Sequence, residues 1–113
     1  GSTFQMDPGL MYQALAQGEV DLISAYSTDG RIENLNLSSL EDDYNFFPPY
    51  QAAPLAAPSA FQKAPLLQQK LEALAGKISN EKMMRLNAEV DVRKRAPQEV
   101  VREFLKAEGF LGP

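Results

Sequence analysis

The chain has 113 residues, 44% of them hydrophobic and 23% charged, which suits one modest folded domain and excludes a disordered or fibrous chain. Fifteen acidic and 11 basic residues leave a net charge of -4, and the only basic run is Arg93-Lys94-Arg95, which argues against nucleic acid as a partner. Cysteine and histidine are both absent, removing thiol chemistry, thiolate metal sites and the commonest general base, and no apolar run approaches the roughly 18 residues of a membrane span.

Gly1-Ser2 reads as a cloning scar. Residues 3–6 form a short extended candidate. Asp7-Pro8-Gly9 then opens a helix, with Asp7 as N-cap and Pro8 at the first helical position, where a missing N–H is not needed. Leu10, Met11, Ala14 and Leu15 recur at helical spacing, Tyr12 lies inside the helix, to pack or to sit in solvent, and Gly18 ends it. Residues 20–26 are a nearly unbroken apolar run rich in β-formers, which predicts a strand buried on both faces and, with the preceding elements, a βαβ outline.

Beyond Tyr26 the chain turns polar. Ser27, Thr28 and Asp29 can all cap or turn, and Gly30 permits a positive φ. Residues 37–41 are a third strand candidate, 42–45 a solvated acidic turn, and Pro48-Pro49 forces an extended path into Tyr50. Residues 51–57, interrupted by Pro54, read as an edge strand or a crossover. From Pro58 the pattern is helical. One helix over 65–75 carries Leu67, Leu71 and Leu74 and closes at Gly76. A second is capped by Ser79, with Met83, Leu86 and Val90 inward. A third starts at Pro97, with Val100, Val101, Phe104 and Leu105 inward and Gly109 after its end. Arg93-Lys94-Arg95 follows a helix end, where the macrodipole favours positive charge without any partner. The expected fold class is α/β, a short mostly parallel sheet with flanking helices and a helical C-terminal half.

Two tyrosines stand where extended sequence meets a turn: Tyr26 before Ser27-Thr28-Asp29-Gly30, and Tyr50 after Phe46-Phe47-Pro48-Pro49. A phenol face there can receive a cation, as aromatic cages for quaternary ammonium groups do. The alternative is that both simply pack. Thr28 and Asp29 are second-rank candidates for a polar or cationic ligand, against a purely capping role. No enzyme chemistry emerges: Ser27 has no histidine and no Ser-x-x-Lys arrangement to activate it, and no carboxylate pair is spaced for acid/base work. Glu41-Asp42-Asp43 lacks the spacing of a calcium loop, and no cofactor is expected.

The stretches Met6-Asp7-Pro8-Gly9-Leu10-Met11-Tyr12 and Gly18-Glu19-Val20-Asp21-Leu22-Ile23-Ser24-Ala25-Tyr26-Ser27-Thr28-Asp29-Gly30-Arg31-Ile32 resemble the substrate-binding proteins of osmoprotectant ABC transporters, the glycine betaine/carnitine/choline-binding family. Leu40-Glu41-Asp42-Asp43, Phe46-Phe47-Pro48-Pro49-Tyr50, Asn87-Ala88-Glu89-Val90-Asp91 and Val101-Arg102-Glu103-Phe104-Leu105-Lys106 continue the match. The resemblance implies a piece of a two-lobed periplasmic-binding-protein fold, with residues 3–49 the second half of lobe two and 50–113 a crossover and helices returning to lobe one. It implies that Tyr26 and Tyr50 occupy two cage positions, that the ligand is a small cationic or zwitterionic amine, and that permease subunits are partners. It also implies the periplasmic or extracellular face of a bacterial cytoplasmic membrane, as a lipoprotein or permease-fused domain where it is not free. The family protein is more than twice as long, so an N-terminal part with the remaining cage residues is expected before Thr3. Two exposed half-cores would then need compact repacking, a homodimer, or association with that missing part. The rival reading is a small α/β interaction or regulatory domain with structural tyrosines.

Overall fold

In the computed structural model, which describes residues 1–112, all regular structure is helical. The order is α1 (Pro8–Ala16), α2 (Gly30–Asn34), α3 (Pro58–Lys63), α4 (Leu67–Glu72), α5 (Asn80–Asp91) and α6 (Pro97–Ala107). None of these helices is long and apolar enough to cross a membrane.

Local chemistry sets the helix ends. Asp7 caps α1, its carboxylate accepting from the Gly9 N–H at 2.7 Å, and Pro8 fills the first helical position. Gly18 (φ +74°) closes α1: its N–H bonds to the Leu15 carbonyl and the Glu19 N–H to that of Ala14. Asn36 (φ 52°) closes α2 and Gly109 (φ +78°) closes α6 with the same pair of reversed bonds. Pro58 and Pro97 start α3 and α6.

The chain divides into two compact units. The first comprises Gly1–Ser39 and the stretch from Asn80 onward, and in it α2 packs on α5 and α5 on α6. Its buried apolar side chains are Tyr12, Ala14, Ala88 and Val100. The α2–α5 contact is close because Gly30 has no side chain: a Cβ there would lie 2.4 Å from the Ala88 backbone nitrogen. The second unit, Leu40–Ser79, holds α3 packed on α4 and contains no buried residue. Its acidic turn is organised by Asp42, whose two carboxylate oxygens accept from the Phe46 and Phe47 N–H groups, both at 2.9 Å.

Several expectations are corrected here. The α/β class with a short parallel sheet is replaced by an all-helical arrangement among the described residues: none of the stretches 3–6, 20–26, 37–41 and 51–57 forms a strand. A strand is stable only through a ladder to a neighbour, and among the described residues no segment pairs with them. The run 20–26 is not buried on both faces either, since Leu22 is 69% exposed. Gly30 does not adopt a positive φ; it is the first residue of α2, and close approach to α5 is what demands glycine there. Val101 is 50% exposed rather than inward. The Arg93-Lys94-Arg95 run has partners. Arg93 pairs with Glu89, the Lys94 Nζ donates to the Asp91 carbonyl, and Arg95 bridges Glu89 (3.0 Å) and Glu103 (2.6 Å), joining α5 to α6.

Candidate functional site: the Tyr26–Arg31 turn

The turn that follows residues 20–26 begins at Tyr26, whose carbonyl accepts the Asp29 N–H at 3.0 Å. Asp29 caps α2 by accepting the Arg31 N–H at 3.0 Å, so the expected capping role of this loop is present. The Thr28 carbonyl accepts from the Asn87 Nδ2 at 2.8 Å, tying the turn to α5 across 59 residues of sequence.

Asp29 and Arg31 also meet side chain to side chain. The Arg31 Nε donates to Asp29 Oδ1 at 3.0 Å and its Nη2 to Oδ2 at 2.7 Å, a two-pronged charge-assisted contact. Its Nη1 reaches the Pro8 carbonyl at 3.4 Å, and its guanidinium carbon lies 4.0 Å from the centre of the Tyr12 ring. Tyr12 is only 3% exposed, and its hydroxyl has no hydrogen-bond partner of standard geometry, although the Asp29 carboxylate is near enough to act on it. Burial pushes the Tyr12 phenol up to about 12, and Asp29 adds to the shift. The Asp29 carboxyl is held down at about 2, chiefly by the Arg31 hydrogen bonds acting against partial burial. Arg31 is in turn raised, first by its bonds to Asp29.

Of the four candidate contacts, Tyr26, Thr28 and Asp29 lie in the first unit and Tyr50 in the second. Tyr26 is 67% exposed and Tyr50 83% exposed. Thr28 is half-buried and Asp29 is engaged by Arg31. Two grooves of the first unit, lined by Glu33, Arg85, Ala88, Glu89 and Arg93 among others, include none of these candidates. Among the described residues no group of three or more histidine, cysteine or acidic side chains is placed to hold a metal ion.

Sequence reasoning missed Arg31, Tyr12 and Asn87 as the framework of this turn. The signal was available in Asp29-Gly30-Arg31. Residues two apart on a helix point away from each other, but a capping residue lies outside the helix and can fold back over its second position. The place of Tyr12 beneath the guanidinium had no signal, because α1 and α2 meet only in the folded chain.

Comparisons with known proteins give this turn its context. Residues 1–107 match the family described as the substrate binding domain of ABC-type glycine betaine transport systems. The chain is 44% identical over 108 residues to the carnitine transport binding protein OpuCC of Listeria monocytogenes, covering 96% of this chain and 35% of that protein. It is 36% identical to the glycine-betaine-binding protein of Pseudomonas aeruginosa, covering 95% of this chain and 34% of the relative. It is 35% identical to the ergothioneine transport permease/ergothioneine binding protein EgtU of Helicobacter pylori, over 96% and 20%. A crystal structure described as a glycine betaine/carnitine/choline ABC transporter superposes with a TM-score of 0.82 at 42% identity, over 90% of this chain and 37% of that one. The chain thus spans about a third of the length of the first two of these relatives. It belongs to the family of substrate-binding domains of ABC-type glycine betaine transport systems, a family of transport binding proteins rather than enzymes.

Proposed function

We propose that this chain is part of the solute-binding component of an ABC importer and contributes to recognition of a small quaternary ammonium or related cationic or zwitterionic amine. Tyr26 and Tyr50 would present ring faces to the ammonium, and Thr28 and Asp29 would be second-rank contacts, with Asp29 chiefly shaping the turn. The observation that carries this reading is a largely exposed Tyr26 on a turn anchored to α5, in a chain of this family. The relatives named for carnitine and glycine betaine support the amine class. A ring of this kind needs an exposed face and a fixed backbone, because cation–π attraction falls away once the cation leaves the ring.

In this reading residues 3–49 belong to lobe two and 50–113 return to lobe one. The permease is the macromolecular partner, and the site works at the outer face of a bacterial cytoplasmic membrane; the Helicobacter pylori relative, named as both permease and binding protein, supports that pairing. Calorimetry on the full-length protein with choline, glycine betaine and carnitine tests the assignment. Each of Tyr26→Ala and Tyr50→Ala is expected to weaken binding roughly 2- to 30-fold, the equivalent of about 0.5–2 kcal/mol per ring. Affinity unchanged for all three amines in both variants would remove the tyrosines from the site.

A further inference from the structure

The geometry points to Arg31 as the positioning residue of the turn that presents Tyr26, acting through Asp29 and the face of Tyr12. As a ligand-binding role this rests on the amine-recognition reading above; as a claim about the turn it stands on the contacts alone. Three observations converge. First, the Asp29 N–H bonds to the Tyr26 carbonyl, so whatever fixes Asp29 fixes the backbone that carries Tyr26. Second, Asp29 is held by the Arg31 fork at 3.0 and 2.7 Å, with its capping bond to the Arg31 N–H as a third tie. Third, the guanidinium is itself immobilised, with the buried Tyr12 ring 4.0 Å away on one side and the Pro8 carbonyl within reach of its remaining nitrogen.

The chemistry explains why arginine stands at this position. A planar guanidinium can bond both carboxylate oxygens in one plane while lying flat on an aromatic face. Lysine at the same place keeps the charge but offers one compact ammonium, which cannot make the fork and the stack together. The chain thus spends one internal cation–π contact, Arg31 on Tyr12, on holding the loop of the tyrosine assigned to an external cation. Gly30 adds rigidity from the other side, because its closeness to the Ala88 backbone leaves α2 no room to tilt toward α5.

The test compares Arg31→Lys and Arg31→Met with Val100→Ala, which weakens the buried core of the same unit on α6 without touching the turn. All are measured at the same interval below their melting points. Amide hydrogen exchange at Asp29 and residue 31 is followed by NMR, and affinities for choline, glycine betaine and carnitine by calorimetry on the full-length protein. Both Arg31 variants are expected to exchange about tenfold faster at these two amides than Val100→Ala, and to lose about tenfold in amine affinity while Val100→Ala keeps it. Lysine failing to rescue marks the fork, not the charge, as the operative contact. Exchange no faster than in Val100→Ala overturns the inference, and faster exchange with amine affinity intact overturns its ligand-binding part. Should the unaltered protein bind none of the amines, the amine reading falls, and the exchange measurement alone then decides whether Arg31 holds the turn.

Discussion

The two units of this chain are held in different ways, and the two candidate tyrosines inherit the difference. In the first unit, Tyr26 sits on a turn bonded to α5 through Asn87, capped by Asp29 and braced by Arg31 against a buried Tyr12. In the second, Tyr50 follows two prolines in a unit with no buried side chain, where order comes from local devices such as the Asp42 turn and the edge-to-face Phe46–Phe47 pair at 5.1 Å. An exposed ring can therefore stand on a turn braced by tertiary contacts or on a stretch stiffened by proline. Bracing is sensitive to substitutions far along the chain, whereas proline stiffness is not.

The comparison breaks most severely at Gly30. Gly30→Ala would drive a Cβ to within 2.4 Å of a backbone atom that has nowhere to go, so the first unit is expected to lose about 3 kcal/mol or more. Urea unfolding followed at residues of the first unit should show the loss, while amide exchange over residues 40–79 stays as it was. Equal loosening of both units would end the distinction.

Acid and alkali sharpen it with a smaller effect. Asp29 has its carboxyl lowered from 3.8 to about 2, so its stabilisation is complete above about pH 4 and is lost as pH falls through 2; this is worth about 2 kcal/mol. Tyr12 is raised from 10.0 to about 12, so its contribution is complete below pH 10 and disappears as pH rises through 12, again about 2 kcal/mol. Urea midpoints of the first unit should fall at both extremes. Asp29→Asn should flatten the acid limb, and an acid limb unaltered by that substitution would mean that the Asp29–Arg31 pair contributes nothing.

The smallest effect belongs to the second unit. Leu55 is 97% exposed, and Leu55→Ala should shift stability by less than about 0.5 kcal/mol in thermal melts. A larger loss would show that residues 40–79 bury apolar surface after all.

How much of this was legible depends on the reach of each interaction. The ends of α1 could be read at Asp7, Pro8 and Gly18, as could the start of α6 at Pro97 and its end at Gly109, because caps and reversed turns involve bonds spanning a few residues. Tyr12 could be placed inside a helix, but a place inside a helix left open whether it packs or sits in solvent; folding buries it. The capping reading of Asp29 also held, yet its partner Arg31, two residues on, was overlooked because helical spacing directs attention to three and four residues away. The run 20–26 has the composition of a strand, but composition states a preference for an extended, half-buried surface and cannot supply the neighbouring strand.

Residues close together in sequence settled both ends of α1 and α6, the capping role of Asp29 and, through their motifs, the family to which the chain belongs, whereas α2 and the bounds of α4 were not foreseen. Folding in three dimensions decided that the apolar stretches form no sheet among the described residues, that Gly30 is needed for the approach of α2 to α5, and that a guanidinium lies on Tyr12 to brace the Tyr26 turn. The reason is one of distance along the chain. Caps and turns are written in residues next to one another, whereas ladders, close helix contacts and cation–π braces join residues that only folding makes neighbours.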